Sequence, residues 1–164
     1  SLDLGFVTLT PSQQKASLTY INLSEERILA GVPLLHPVAT PLDSSDGTPV
    51  ADMTDMSSEL QELDLYRLRE EPFVLTYQES TLREMTDQNF KKAGFTPHVL
   101  FDAQMCCGLI QEYYPRNSPY GIRYFTLPDN PAWNIMACCH KNRYISKSTR
   151  DFIALAEEFW KKEL

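Results

Sequence analysis

The chain has 164 residues, a formal net charge of −7 at pH 7, and a hydrophobic content of 43%. This content is enough to bury a core, so the composition excludes a globally disordered chain and predicts one domain or two small lobes. The negative charge argues against nucleic-acid or anionic-membrane binding by this segment alone. No apolar run approaches membrane-spanning length and no signal peptide opens the chain, so no membrane contact is expected.

The first third of the chain contains two strand-like segments. Leu2–Val7 forms the first, and the hydroxyl-rich turn that follows it contains Thr8 and Thr10. After a polar loop, Arg27–Leu35 forms the second strand, whose almost continuous apolar character suits a strand covered on both faces. His36 is expected to be a turn residue rather than a ligand, because no acid or nucleophile stands nearby in sequence.

Residues Thr40–Glu62 differ in composition from the rest of the chain. They are rich in Ser, Thr, Asp and Pro and lack a sustained apolar face, which predicts a linker or a surface insertion. The spacing of Asp43, Asp46 and Gly47 does not fit a calcium-binding loop. A solvated acidic insertion is therefore expected here.

The stretch Leu63–Asp102 has the pattern of a strand, a helix and a second strand. Phe73–Leu75 is a short apolar run, and Thr81–Glu84 fits a capping box at a helix start. Gly94 stands where a helix needs a residue that tolerates positive φ, and His98–Phe101 is the next apolar run. The pattern predicts a βαβ unit with parallel strands. The expected apolar face of its helix consists of Leu82, Met85, Phe90 and Ala93.

The loop Tyr77–Thr81 lies between the first strand and the helix of this unit. Open parallel sheets bind ligands at the carboxyl ends of their strands. A helix N-terminus there suits a carboxylate or phosphate, and Ser80 and Thr81 would add hydroxyl donors. The alternative is that both hydroxyls only cap the helix, and spacing alone favours that alternative.

The last third of the chain is predicted to be helix, strand, strand and helix. Ala103–Gln111 resembles the start of a helix, and Tyr120–Leu127 alternates as a strand. A turn is expected at Pro128–Pro131 and a further strand at Trp133–Cys139. Ser148–Asp151 fits a second capping box at the start of the final helix. The expected buried stripe of that helix consists of Phe152, Ile153, Ala156, Phe159 and Trp160.

The four cysteines form two adjacent pairs, Cys106-Cys107 and Cys138-Cys139. Structural zinc usually requires two residues between paired ligands, because adjacent side chains on a strand point apart. The pairs are therefore expected to be buried, reduced thiols, with no metal and no cofactor. Two alternatives remain open. His140 next to the second pair could complete a metal site, and a cysteine and a histidine could form a nucleophile pair, although the sequence shows no activating signature for one.

Four segments, in this order, resemble the effector-binding domain of LysR-type transcriptional regulators. They are LDLGFV, ILAGVPLLHPVA, LREEPFVLTYQESTLREMTDQNFKKAGFTPHVLFD and NRYISKSTRDFIALAEEF. Each motif is weak by itself, whereas their order and spacing together are specific. The resemblance implies an α/β, two-lobed periplasmic-binding-protein-like (type 2) fold with crossover strands between the lobes.

The resemblance also implies a division of the chain. Residues 1–39 would be the later part of the first lobe, and residues 40–62 the acidic insertion. Residues 63–131 would form the second lobe, and residues 132–164 a crossover strand and helix that return to the first. The N-terminal winged helix-turn-helix domain and the first half of the first lobe are expected to be missing.

The function implied by the resemblance is effector sensing. A small anionic metabolite would bind between the lobes and favour their closed state, which would alter DNA binding and transcription. The protein would be cytoplasmic, not an enzyme, and self-associated as a dimer or tetramer. It would contact DNA only through the absent domain. The effector-binding residues would be Thr8, Thr10, Tyr77, Gln78, Ser80, Thr81, Phe101 and Met105.

Two other classes of protein remain as alternatives. A free-standing solute-binding protein would share the architecture, but the missing export signal and the cysteines expected to be reduced count against it. A cysteine-dependent enzyme is the second alternative. It ranks last because no set of nucleophile, base and orienting group can be assembled from the sequence.

Overall fold

The structure of the chain is a computed structural model, and it describes residues 3–39, 60–100, 106–113 and 121–163. Backbone contacts divide the chain into two compact units. Unit 1 consists of Ser1–Arg27 and Ala132–Leu164, and unit 2 is Ile28–Pro131. The sequence places residues 28–39 with the first lobe, whereas they lie in unit 2, because residues 28–33 pair with strands of that unit.

The described residues form seven strands, two α-helices and two short 3-10 helices. The strands are β1 (Gly5–Leu9), β2 (Leu18–Pro33), β3 (Pro72–Val74), β4 (His98–Val99), β5 (Cys107–Gln111), β6 (Ile122–Phe125) and β7 (Ala132–His140). The helices are α1 (Thr81–Ala93) and α2 (Lys147–Glu163), and the 3-10 helices are Pro11–Gln13 and Leu65–Leu68. No helix in these described ranges is long and apolar enough to cross a membrane.

Unit 1 is an antiparallel sheet with α2 packed on it. The strand order is β1-β7-β2, and only the Leu18–Arg27 part of β2 belongs to it. Its buried cluster combines residues of β2, β7 and α2, because the apolar side chains of these elements exclude water together. The cluster consists of Leu23, Ile135, Ala137 and Ile153, with Leu4, Ile21, Ala156 and Trp160 packed against it.

The Leu18–Arg27 part of β2 corrects the expected polar loop. It is a strand that pairs with β7 over nearly its whole length. The register shifts between Asn22 and Ser24, so a bulge places Leu23 and then Glu26 on buried positions. Because a bulge breaks the period-two alternation of a strand, the sequence pattern does not indicate one here.

Helix α2 differs from expectation in its cap and in its apolar face. The Ser146 hydroxyl accepts from the backbone N–H of Thr149 at 3.1 Å, so the cap stands two residues before the predicted Ser148. Ile153 is buried as predicted. Phe152 and Phe159 are not, with 53% and 52% of their surfaces exposed, although the Phe152 ring packs edge-on against Phe6 of β1 with 5.8 Å between ring centroids.

Unit 2 contains the predicted βαβ unit, and the parallel pairing is confirmed. Pro72 in β3 is opposite His98 in β4, with α1 between the two strands in sequence. Gly94 ends α1 with φ 80°, as expected for a left-handed cap. The Phe73 ring packs edge-on against Phe90 with 4.8 Å between ring centroids, which fixes α1 on the sheet.

Strand β5 corrects the expected helix at Ala103–Gln111. Residues 103–105 lie outside the described residues, but Cys107–Gln111 is a strand. It pairs antiparallel with β2 and parallel with β3, so it lies between two strands and buries Cys107 and Leu109. A short apolar run cannot distinguish a buried strand from a helix by periodicity. The strands predicted near β6 and β7 are confirmed.

One side chain joins the residue before the predicted insertion to a residue near the C-terminal end of the insertion. Residues 40–59 lie outside the described residues. Arg123 is 9% exposed, and its guanidinium donates to the backbone O of Ala39 at 2.7 Å and to Gln61 Oε1 at 3.1 Å. Leu63 N–H also bonds to Thr126 O at 2.9 Å, so the C-terminal end of the insertion joins the sheet of unit 2.

Candidate functional site

The candidate ligand loop follows β3 and leads into α1 within unit 2. Tyr77–Thr81 therefore lies at the carboxyl end of a strand that has parallel neighbours on both sides, β4 and β5. This is the side of an open sheet on which ligands bind. The loop also carries the N-terminus of a 13-residue helix, whose dipole favours a negative charge.

Ser80 is the N-cap of α1. Its hydroxyl accepts from the backbone N–H of Arg83 at 3.1 Å and lies 2.9 Å from both Tyr77 O and Thr76 Oγ1. The predicted cap at Thr81 is wrong by one residue, because Thr81 already has helical geometry. The capping role proposed as the alternative for Ser80 is therefore present.

Arg83 is a loop-organising residue that the sequence does not single out. Its Nη1 donates to Thr76 O at 3.1 Å, and its Nε donates to Asp87 Oδ1 at 2.9 Å. A cation in the first turn of a helix interacts unfavourably with the positive end of the helix dipole, and these two hydrogen bonds offset that cost. The spacing of Arg83 and Asp87 by four residues is the signal that could have indicated it.

The open side of the loop presents several kinds of polar group. Tyr77, Gln78 and Glu79 are exposed, and Ser80 and Thr81 are partly buried. The phenol, the amide and the hydroxyls can all hydrogen-bond to a ligand oxygen. The Glu79 carboxylate adds negative charge nearby, so an anion would have to bind closer to the helix N-terminus than to this side chain.

The two predicted residues of unit 1 have local roles. Thr8 is a partly buried residue of β1, opposite Ile135 of β7. Thr10 precedes the short helix Pro11–Gln13, and its backbone N–H donates to Gln13 Oε1 at 3.0 Å. Phe101 and Met105 lie outside the described residues. The structure thus brings Tyr77, Gln78, Ser80 and Thr81 together in one loop of unit 2 and places Thr8 and Thr10 in unit 1. That the two sets form one site stays a prediction.

The cysteine pairs lie on separate strands and units. Cys106 and Cys107 stand at β5, and Cys138 and Cys139 in β7; all four are free thiols. Burial, then the Glu71 carboxylate, then Cys106 raise the pKa of the Cys107 thiol from 9.0 to about 12. A thiol with that pKa stays protonated at neutral pH and is a poor nucleophile. In the described part of the chain, no three His, Cys, Asp or Glu residues are placed to hold a metal.

His36 lies in a turn, as predicted. Its Nδ1 accepts from the backbone N–H of Val38 at 3.1 Å, and its Nε2 is 3.0 Å from Glu71 Oε1. Further turn bonds join His36 N to Pro33 O and Ala39 N to His36 O. The HPVA segment is therefore a folded turn after β2, and it presents the Ala39 carbonyl to Arg123.

Several solved regulatory domains have the same fold as this chain. The regulatory domain of CcmR from Synechocystis PCC6803, solved in complex with 2-PG, aligns with a TM-score of 0.70 and 13% identity, covering 97% of this chain and 74% of that one. The effector-binding domain of QuiR, in complex with shikimate, aligns with a TM-score of 0.67 and 14% identity over 98% and 72% of the two chains. HinK, a LysR family transcriptional regulator from Pseudomonas aeruginosa, aligns with a TM-score of 0.64 and 18% identity over 96% and 52%.

The family model of the LysR substrate binding domain matches residues 1–161. None of the curated protein sequences matches the chain. The fold expected from the sequence, an α/β fold of the type 2 periplasmic-binding-protein class, is confirmed by this match and by the aligned structures. The chain belongs to the LysR substrate binding domain family.

Proposed function

We propose that this chain is the effector-sensing domain of a LysR-type transcriptional regulator and that it binds a small anionic metabolite. The match of residues 1–161 to the LysR substrate binding domain carries the proposal. The aligned CcmR and QuiR domains bind 2-PG and shikimate, and this supports a small-molecule ligand for the present chain as well.

The ligand would bind at the loop before α1. The N-terminus of α1 and the hydroxyls of Ser80 and Thr81 favour a carboxylate or phosphate over a cation. Tyr77 and Gln78 would hydrogen-bond to the rest of the ligand, and Thr8 and Thr10 would contribute from unit 1. Phe101 and Met105 would supply apolar contacts. No cofactor and no metal takes part in this proposal.

Binding would act by shifting the population of conformations. A ligand that contacts both units favours the conformation in which it makes more contacts, and only to the extent of its differential affinity. In a cytoplasmic dimer or tetramer, this change would alter how the N-terminal winged helix-turn-helix domains of the complete regulator hold DNA. The effector domain itself would perform no reaction and would contact neither DNA nor membrane.

A thermal-shift panel tests the proposal. The chain would be melted with millimolar shikimate, citrate, benzoate, amino acids and phosphorylated acids, and with lysine and spermidine as cationic controls. A ligand bound only by the folded state raises the melting temperature by mass action. An acid that raises it in a concentration-dependent way, without being consumed, supports the proposal. A shift produced only by the cations, or turnover of the hit, would overturn it.

A further inference from the structure

The loop before α1 ends in a tight turn within unit 2. The backbone N–H of Ser80 donates to Tyr77 O at 3.2 Å, so Gln78 and Glu79 are the two central residues of a β-turn. The Ser80 hydroxyl donates to the same carbonyl at 2.9 Å. Two bonds to one acceptor hold the backbone of this turn, and its geometry is therefore set before any ligand binds.

Within the loop, the Ser80 hydroxyl uses its whole hydrogen-bonding capacity. It donates to Tyr77 O at 2.9 Å, accepts from the backbone N–H of Arg83 at 3.1 Å and lies 2.9 Å from Thr76 Oγ1. A hydroxyl offers one donor and two acceptor positions, and these three contacts fill them. A ligand that bonds to Ser80 must therefore displace one of them, which offsets part of the affinity gained.

The side chains at the tip of the turn are available without such a cost. Tyr77, Gln78 and Glu79 are all exposed. In the described ranges of the chain, Gln78 and Glu79 form no side-chain hydrogen bond and no ion pair. A ligand that binds at this loop therefore gains a bond to either side chain without breaking one inside the protein.

The three exposed side chains differ in the groups that they require of a ligand. The phenol of Tyr77 and the amide of Gln78 can each donate and accept a hydrogen bond, whereas the ionised carboxylate of Glu79 can only accept. The N-terminus of α1 offers N–H donors and the positive end of a dipole. A ligand with a carboxylate alone satisfies the helix but is repelled by Glu79, and a ligand that also carries a hydroxyl satisfies both.

We infer that Glu79 is a specificity-determining residue and that the effector is a hydroxy acid. The carboxylate of the ligand binds at the N-terminus of α1, and a ligand hydroxyl donates to the Glu79 carboxylate. A site that hydrogen-bonds to a ligand hydroxyl discriminates against the analogue without it, because the acceptor then loses water and gains no bond. The inference rests on the proposed function, since it names the chemical class of ligand for the same loop.

An acidic residue just before a helix also has a role that needs no ligand. Glu79 directly precedes the N-cap Ser80, so its charge interacts favourably with the positive end of the dipole of α1. That role affects the affinity for every acid alike. The ratio of the affinities for two acids that differ in their hydroxyl groups therefore isolates the hydrogen bond to Glu79 from the effect of its charge.

Titration calorimetry of the wild type with matched pairs of acids measures that ratio. The pairs are succinate and malate, benzoate and gallate, and cyclohexanecarboxylate and quinate. In a pair that binds, we expect the hydroxylated acid to bind at least about tenfold more tightly than the plain acid, because hydrogen bonds to an ionised acceptor are the strong ones.

Three variants assign the preference to one side chain. Glu79→Met removes the acceptor, and we expect the ratio to fall to within about twofold of unity. Glu79→Gln keeps a neutral acceptor, so its ratio is expected to lie between those of Glu79→Met and the wild type. Both should bind the plain acid more tightly than the wild type does, because a like charge is gone. The matched control is Glu84→Met, which removes a carboxylate from the first turn of the same helix and should leave the ratio unchanged.

The outcomes separate this inference from the proposed function. If the wild type binds plain and hydroxylated acids equally well, the inference is overturned and the proposed function stands. An unchanged ratio in Glu79→Met, or an equal fall of the ratio in Glu84→Met, would also overturn the inference alone. If no acid binds in these pairs or in the thermal-shift panel, the proposed function is overturned and the inference with it.

Discussion

The Ser80 hydroxyl accepts a hydrogen bond from the backbone N–H of Arg83 at 3.1 Å. The side chain proposed to meet the effector is thus also the cap of α1. Loss of this hydroxyl is therefore expected to lower both the stability of the helix and the affinity for a ligand, so the two effects need to be measured separately.

Ser80→Ala is expected to lower the free energy of unfolding by about 1 kcal/mol, because a helix cap is lost. It should also weaken binding of the acid found in the thermal-shift panel. Urea unfolding and calorimetric titration would give the two quantities. The matched control is Ser146→Ala, which removes the cap of α2 in unit 1. It should cost similar stability and leave the affinity unchanged; equal losses of affinity in both variants would assign Ser80 to capping alone.

Arg83→Met is expected to loosen the loop before α1, because the side chain no longer holds the Thr76 carbonyl. We expect amide exchange in residues 77–80 to rise by about fivefold and acid binding to weaken. Lys92→Met is the control, since it removes an equal charge from the same helix and breaks only an exposed contact with Asp129. A similar rise in both variants would show that charge, and not the loop contact, is responsible.

Arg123→Met is expected to destabilise the chain by about 1–3 kcal/mol, because the buried Ala39 carbonyl loses its donor. Denaturant unfolding followed by circular dichroism would measure it. Arg143→Met breaks an exposed contact with Asp3 and should cost at most about 1 kcal/mol. An Arg123 variant no less stable than the Arg143 variant would contradict a stabilising role for the contacts of Arg123 with Ala39 and Gln61.

The Cys107 thiol gives a prediction about pH. Its folded-state pKa of about 12 lies above the ordinary value of 9.0, so the folded state holds this proton more tightly than the unfolded state. The contribution of this thiol to the free energy of unfolding is fully present below pH 9 and is lost as pH rises from 9 towards 12.

Unfolding in urea at pH 7.5 and at pH 10 would test this prediction in the wild type and in Cys107→Ala. The wild type should lose more stability between the two pH values than the variant, because only it releases this proton on unfolding. Cys138→Ala serves as the control for cysteine removal. An identical pH dependence in wild type and Cys107→Ala would contradict the burial of an un-ionised thiol at this position.

Local patterns in the sequence were sufficient for the βαβ unit. Each signal for this unit depends on residues that are close together in sequence. The signals are the apolar run at Phe73, the helical spacing of Leu82, Met85 and Phe90, and the helix end at Gly94. Their order with the flanking segments also identified the family. The loop at Tyr77–Thr81 followed from the same unit, because its position between strand and helix is set by the chain connection itself.

Features that depend on partners distant in sequence were decided only by the tertiary structure. Leu18–Arg27 becomes a strand because β7, more than 100 residues away in the chain, pairs with it across a bulge that conceals the alternation. Cys107–Gln111 becomes a strand because β2 and β3 lie on its two sides. The contacts of Arg123 with Ala39 and of Glu26 with Trp133 arise in the same way. A residue's local pattern encodes its own backbone preference and its exposed or buried face, whereas the identity of the group across the sheet is set by the register of whole strands.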